Sequence, residues 1–456
     1  MMNRGSFLRL GASAGVTTTL GGLPSLASAL TPTCTSPAPA GTVAVPWVQP
    51  CLCPTINRTS VYNAAYNWTR LQNAYAAMRA LPSSDPRSLA AQQNMHAWYC
   101  ATCPGNPNDI HGHWTFFAWH RAFLYFHERI LGSLVNDMTL RLPYWDWENP
   151  SHQLSPTEYY VGALNDTTRD LGAGQSVNRN VPGGVGSFDF TQIPAQINLS
   201  FADFGGDATT AGTVEVQEHG FVHMSIGGWN GDMGSLELAA GDPIFYSHHA
   251  NIDRLWYSWE KYAGNADPGG AFSQLTFTFY DEKKVWRSIT AAQLLPVSKL
   301  CYCYDTVVTP TESFVGLKSI ELPRLPGGTL RAPLDWQRAA ITQATSTFVS
   351  MDHLQFTGTG AFLIQVQNAS GTSDVGTFFI VPHRRNQNMT SMQRTANIRF
   401  VISPAVAAAL AEAGAKVTIQ SPSFGALGNS PSGNAGAPNF AIPSQAEFLG
   451  IRIWAR

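Results

Sequence analysis

The chain has 456 residues, beyond the roughly 250–300 at which a single core stops growing, so two domains are expected. Its composition, 44% hydrophobic and 13% charged, excludes a disordered chain, and its formal net charge of -2 gives no electrostatic footing for a nucleic acid or an anionic membrane surface. A small-molecule partner is expected instead.

No run of about 18 apolar residues is present, so no integral membrane association is expected. Arg4 and Arg9, a weakly apolar middle and Ala27-Ser28-Ala29 read as a signal peptide over residues 1–29. The run Arg4-Gly5-Ser6-Phe7-Leu8-Arg9 looks like a twin-arginine leader with glycine in the second place, which predicts export, periplasmic or secreted. Residues 30–60, rich in Pro, Thr and Cys, read as an irregular arm tied by disulfides. Apolar spacing then predicts helices over 62–81, 88–99, 119–134, 215–224 and 248–262, joined by long Gly/Pro loops. After residue 300 the pattern changes to short β-branched or aromatic runs at 362–367, 377–381, 398–402 and 416–419, with one helix over 404–413. Residues 323–333 read as a linker, and 421–438 as a Gly/Ser/Pro-rich tract. The expected fold is a mainly α domain, a four-helix bundle over residues 30–320, followed by a smaller β-rich domain over 321–456.

Ten of the twelve histidines fall between His96 and His249, inside the helical region. His219 and His223, four apart on one helix face, can grip one ion. His248 and His249 open the next helix and offer a third ligand. Upstream, His96 on one helix, and His111 and His120 at the two ends of a loop-to-helix segment, form a second set. Two three-histidine sets on antiparallel helices make a two-metal site, and imidazoles without an interleaved carboxylate favour copper over di-iron or zinc hydrolase chemistry.

The segment His111 to Gly132, with Trp114, Phe116-Phe117, His120-Arg121 and Tyr125-Phe126-His127-Glu128-Arg129, resembles the first copper motif of the type 3 copper proteins, in particular tyrosinases and plant-type polyphenol oxidases. The segment Glu215 to Trp256, with Asp232-Met233-Gly234 and Asp242-Pro243, resembles their second, and Pro143-Tyr144-Trp145-Asp146-Trp147 lies between. The resemblance implies two copper ions, one on His96, His111 and His120, the other on His219, His223 and His249, with O2 as co-substrate and small phenols oxidised to o-quinones. His249 rather than His248 matches the family ligand because it stands four before Asp253. His113, His127, His152, His353 and His383 are expected to be structural.

Several further roles follow from the same resemblance. Cys100 would join His111 through a thioether, which would account for the odd number of seven cysteines and leave six for disulfides; pairing of Cys100 with Cys103 or Cys53 is the alternative. Glu215 would hold a water near the second copper. Gly220 stands where tyrosinases carry an asparagine that helps this water accept the phenol proton, so diphenols are expected as substrates ahead of monophenols. Leu236 and Met224 would line the substrate cavity, Tyr302 and Tyr304 form the Tyr-x-Tyr motif that closes the catalytic domain, and the C-terminal domain would act as an intramolecular lid. An o-aminophenol oxidase and an oxygen carrier of the hemocyanin kind share the same ligands.

Overall fold

The computed structural model describes residues 35–49, 55–100, 109–179, 187–262, 265–311, 318–326, 329–344, 347–358, 360–381, 394–420, 445–448 and 450–455. The leader, the Ser/Gly/Pro-rich tract, His383, and Cys34, Cys51, Cys53 and Cys103 lie outside these residues. Among the described residues no helix is long and apolar enough to cross a membrane.

Helix α1 (Trp68–Arg79) begins where the Asn67 side chain accepts the Arg70 amide at 3.0 Å, and it buries Leu71, Ala74, Tyr75 and Met78 on one face. It starts six residues later than its apolar spacing suggests, because the chain turns over Asn63 and Tyr66 and the Tyr62 ring stacks on His152. Helix α2 (Leu89–Tyr99) is capped by Ser88, whose side chain accepts the Ala91 amide. Helix α3 (Thr115–Leu134) starts four residues before the expected position and is buried on nearly every side, so it is a central helix with no solvent stripe to mark its ends. Residues Glu215–His219 form a π turn that runs into α4 (Gly220–Gly227), and α5 (Ile244–Glu260) opens directly after Pro243.

A small sheet missed by the periodicity flanks the helices. Its order is β1 (Val45–Pro46), β4 (Trp286–Thr290), β3 (Thr276–Tyr280), while β2 (Ile56–Arg58) pairs in parallel with β5 (Tyr302–Tyr304).

The C-terminal region is β-rich, as its composition indicates. One sheet runs β10 (Arg394–Ile402), β7 (Thr347–Thr357), β13 (Gly450–Ala455), β6 (Lys318–Pro323), with β12 (Gln445–Glu447) also on β7. The other runs β11 (Lys416–Gln420), β8 (Gly360–Asn368), β9 (Gly371–Ile380), and α6 (Pro404–Leu410) packs beside β8. The segment 323–333 is not the linker its prolines suggest: Pro323 ends β6, opposite Gly450 of β13, and Arg324 bridges Leu330.

Each region has its own core, but the boundary interdigitates. Ala361, Phe379 and Val381 of the β region are buried in the helical core, whereas Ala211 and Val216 of the helical region are buried in the β core. Between them Ala211 bridges Ala396 of β10 in parallel fashion, the Gln217 amide group donates to the Arg399 carbonyl, and the Arg399 guanidinium reaches both Asp203 and Asp352.

Candidate metal centre

The four long helices bring seven imidazoles together. His96 (α2), His111 (the α2–α3 loop) and His120 (α3) form one group; His219 at the end of the π turn, His223 (α4), and His248 and His249 (α5) form the other, with the ligand atoms of each group within 4.8 Å of one another. All seven are buried. The groups abut: the His120 and His249 rings stack at 4.3 Å and 14°.

Backbone carbonyls fix which nitrogen faces inward. The Nδ1 of His120 donates to the Phe116 carbonyl at 2.7 Å, that of His219 to Glu215 at 3.1 Å, that of His223 to Met233 at 2.7 Å and that of His96 to Leu236 at 2.8 Å. A neutral ring committed in this way presents its Nε2 lone pair to the centre. The Nε2 atoms then meet, His96 to His120 at 3.3 Å and His223 to His249 at 3.2 Å. Imidazole nitrogens about 2.0–2.1 Å from a shared ion stand roughly 3.3 Å apart at a tetrahedral angle, so both gaps fit a metal. The Nε2 of His219 is buried with no hydrogen-bond partner, as a ligand nitrogen awaiting a cation would be. Burial also keeps the rings neutral, pushing His120 down to about 3 and His223 to about 4, with His219 and His249 well below the usual range. Neutral imidazoles are the form that binds copper.

His248 differs from His249. Its Nδ1 accepts the Trp147 indole N–H at 3.2 Å, while its Nε2, like that of His219, is buried without a hydrogen-bond partner. The second group therefore holds four imidazoles, three of which the sequence reading assigns to a metal. The other described histidines are engaged elsewhere: His127 with Tyr75 and Gln92, His152 with Asp146, His113 with the Thr115 amide, and His353, through its amide, with Asn397.

The remaining expected positions fall out unevenly. Glu215 is buried, its Oε1 accepts the Gly112 amide at 2.7 Å, its Oε2 has no partner, and burial pushes its carboxyl up to about 8. Gly112 can turn this amide inward because its φ is +85. Leu236 lines the cavity beside Glu215, His111 and His219. Met224 does not; it is buried in the helical core. Gly220 lies under the β region: a Cβ there would stand 2.4 Å from the Phe379 carbonyl oxygen, so this close approach admits only glycine. Tyr302 and Tyr304 each donate to Asp253 Oδ2 at 2.6 Å, together with Arg58, while Arg121 donates to Oδ1 at 2.6 Å. Burial opposes ionisation of Asp253, but Arg121 and Arg58 outweigh it and hold the carboxyl below its usual range. The Tyr-x-Tyr motif therefore locks α5 to α3 one turn beyond His249 and one residue beyond His120.

The cysteine count is corrected. Cys100 is fully buried and in no disulfide, its Sγ 3.2 Å from Nδ1 of His96, so it pairs with neither Cys103 nor Cys53. Cys303 is also a free thiol, beside the Asn57 side chain, so six cysteines do not enter disulfides; Cys301 is disulfide-bonded.

Two phenylalanines went unassigned in the sequence. The Phe116 ring stands 4.6 Å from His219 and 4.8 Å from His120, and the Phe245 ring 4.1 Å from His249 and 5.0 Å from His96. Each sits four residues before a histidine, His120 or His249, on the same helix face, and that spacing could have revealed them. They wall the centre with apolar surface.

Over the open side lie Phe379, Ile380, Val381, Phe356 and Arg394 of the β region. The cavity left has a volume of about 20 Å3, room for little more than a single water.

Comparison with known proteins agrees with this centre. The family model described as the common central domain of tyrosinase matches residues 86–182 and 172–262. Polyphenol oxidase A1 of Vicia faba, whose name is qualified as chloroplastic, is 35% identical over 280 residues, covering 53% of this chain and 46% of its own length. Aureusidin synthase of Antirrhinum majus is 32% identical over 281 residues, 53% of this chain and 50% of its own. The chain thus spans about half the length of the curated relatives it matches. The fold of latent apple tyrosinase superposes with a TM-score of 0.65 at 22% identity, over 91% of this chain and 100% of that one. Residues 86–262 thus match the common central domain of tyrosinase, and the chain is similar there to plant polyphenol oxidases.

Proposed function

We propose that the chain is a dicopper phenol oxidase that oxidises o-diphenols to o-quinones with O2. The observation that carries this reading is the pair of three-imidazole sets whose inward Nε2 atoms meet at 3.3 and 3.2 Å around an apolar-walled centre. His96, His111 and His120 would hold one copper, His219, His223 and His249 the other. When bound, the copper pair supplies the two-electron couple between phenol and O2.

The protein's own residues do the rest. Carbonyl anchors on Nδ1 hold the rings so that little reorganisation accompanies turnover. Phe116 and Phe245 exclude water, and Leu236 sets one side of the substrate cavity. Glu215, its Oε1 tied to Gly112, keeps Oε2 available to hold a water or a phenolic proton beside His219. Gly220 offers no second acceptor there, which supports diphenol oxidation over hydroxylation of monophenols. A Cys100 to His111 thioether remains part of this reading; peptide mapping of the copper-loaded protein would reveal it.

The β region, beginning near Lys318, is proposed as an intramolecular lid, with Phe379 over Gly220 as its seal. The 1–29 leader is proposed as an export signal, and N-terminal sequencing with fractionation of the producing cell tests it.

The functional test is oxygen uptake and quinone formation by copper-loaded full chain, before and after cleavage at a protease site placed between Val308 and Ile320, with catechol and tyramine supplied separately. Oxidation of catechol that rises on cleavage, with tyramine untouched, is expected. Oxidation of neither, with copper bound, would overturn the reading, and turnover of tyramine would overturn the Gly220 argument.

A further inference from the structure

One ion pair beside the centre joins the two regions. Arg394, the first residue of β10, lines the cavity with Glu215, His111 and Leu236, and its Nη2 donates to Asp109 Oδ2 at 3.3 Å. Both side chains are mostly buried, 12% and 14% exposed. Asp109 belongs to the ligand-bearing loop: its Oδ1 accepts the His111 amide at 3.0 Å and lies 3.8 Å from His111 Nδ1. The carboxylate is therefore fixed to the centre, whereas its cation comes from the other region.

A second observation points the same way. Glu215 Oε2 is buried, has no partner and belongs to a side chain lining the same cavity. With β10 withdrawn, Glu215 stays in the lining, no cationic side chain remains among the lining residues, and Asp109, directly behind the place of Arg394, loses its partner.

We propose that Asp109 is a specificity anchor, binding the ammonium group of arylalkylamine phenols in the place that the Arg394 guanidinium fills. This rests on the reading of the β region as a removable lid. A catechol with an ammonium tail gains an ion pair at the mouth; one with a carboxylate tail meets repulsion; a neutral one gains neither.

The test uses the full chain, cleaved between Val308 and Ile320 after folding. The ratio of kcat/KM for dopamine to that for 4-methylcatechol is expected to fall roughly fivefold in Asp109→Asn and to be retained in Asp109→Glu. A copper-independent readout accompanies it: the affinity of phenethylamine, measured by calorimetry on copper-free cleaved chain, should weaken by a similar factor in Asp109→Asn. In the unmutated cleaved chain that affinity should also fall with added salt while that of phenethyl alcohol does not, a comparison that survives if the variant fails to fold. Unchanged selectivity with unchanged amine affinity, or a salt-independent amine affinity, would overturn the anchor. Equal amine affinity before and after cleavage would overturn the lid, and the Asp109→Asn comparison would still decide the anchor.

Discussion

The helical and β regions meet the same centre in different ways. The helical region contributes every imidazole, six from helices or the π turn and His111 from a loop, as well as the Glu215 carboxylate and the buried Asp253 junction. The β region contributes apolar side chains, one arginine and a strand backbone laid against Gly220. Chemistry is thus encoded in side-chain spacing, and access to it in the seating of strands. Changes to the first region should abolish turnover or folding, whereas changes to the second should release activity.

The largest effect is expected at the ligands. His120→Ala should reduce catechol turnover below about one hundredth, measured on protein with its copper content determined. Next comes the junction. Asp253→Asn leaves Arg58 and Arg121 buried against a neutral group and should cost about 3–5 kcal/mol in denaturant unfolding. Because the Asp253 carboxyl is held below its unfolded value, its stabilisation is complete above the usual carboxylate range and is lost as pH falls through the lowered native pKa. Acid titration of unfolding should therefore show a shallower low-pH limb in the Asn variant.

In the β region the sign reverses. Phe379→Ala removes a side chain worth about 1.5–3 kcal/mol of burial at the boundary and should raise the activity of uncleaved chain by about tenfold. Arg399→Ala, which breaks the contacts to Asp203 and Asp352, should raise it less, roughly threefold, since partly exposed ion pairs contribute little. A fall in activity in either variant would show that the β region supports the centre more than it covers it.

The same contrast explains what could be read from the sequence. His219 and His223, four apart, declared themselves because helical geometry converts spacing into a shared face, whereas His249 was preferred to His248 through the resemblance to a family motif. The two regions were legible for the same reason, through their periods. Helix α3 was misplaced at its start because a helix buried all round carries no polar edge, and the π turn at Glu215–His219 left no mark in apolar spacing. Phe379 reads as any aromatic strand residue; only the tertiary arrangement shows that its core is the helical one. Gly220 looked like a missing proton acceptor, but the Phe379 carbonyl supplies an independent, steric reason for glycine. Asp109 and Arg394, far apart in the chain, gave no signal of pairing.

The central claim is that six imidazoles, with His248 excluded, hold two coppers. Copper equivalents bound by purified chain carrying His248→Ala or His249→Ala test this most directly. The account predicts two equivalents in the unmutated chain and in the His248 variant, and about one in the His249 variant. Loss of one equivalent in the His248 variant, with two retained in the His249 variant, would contradict it.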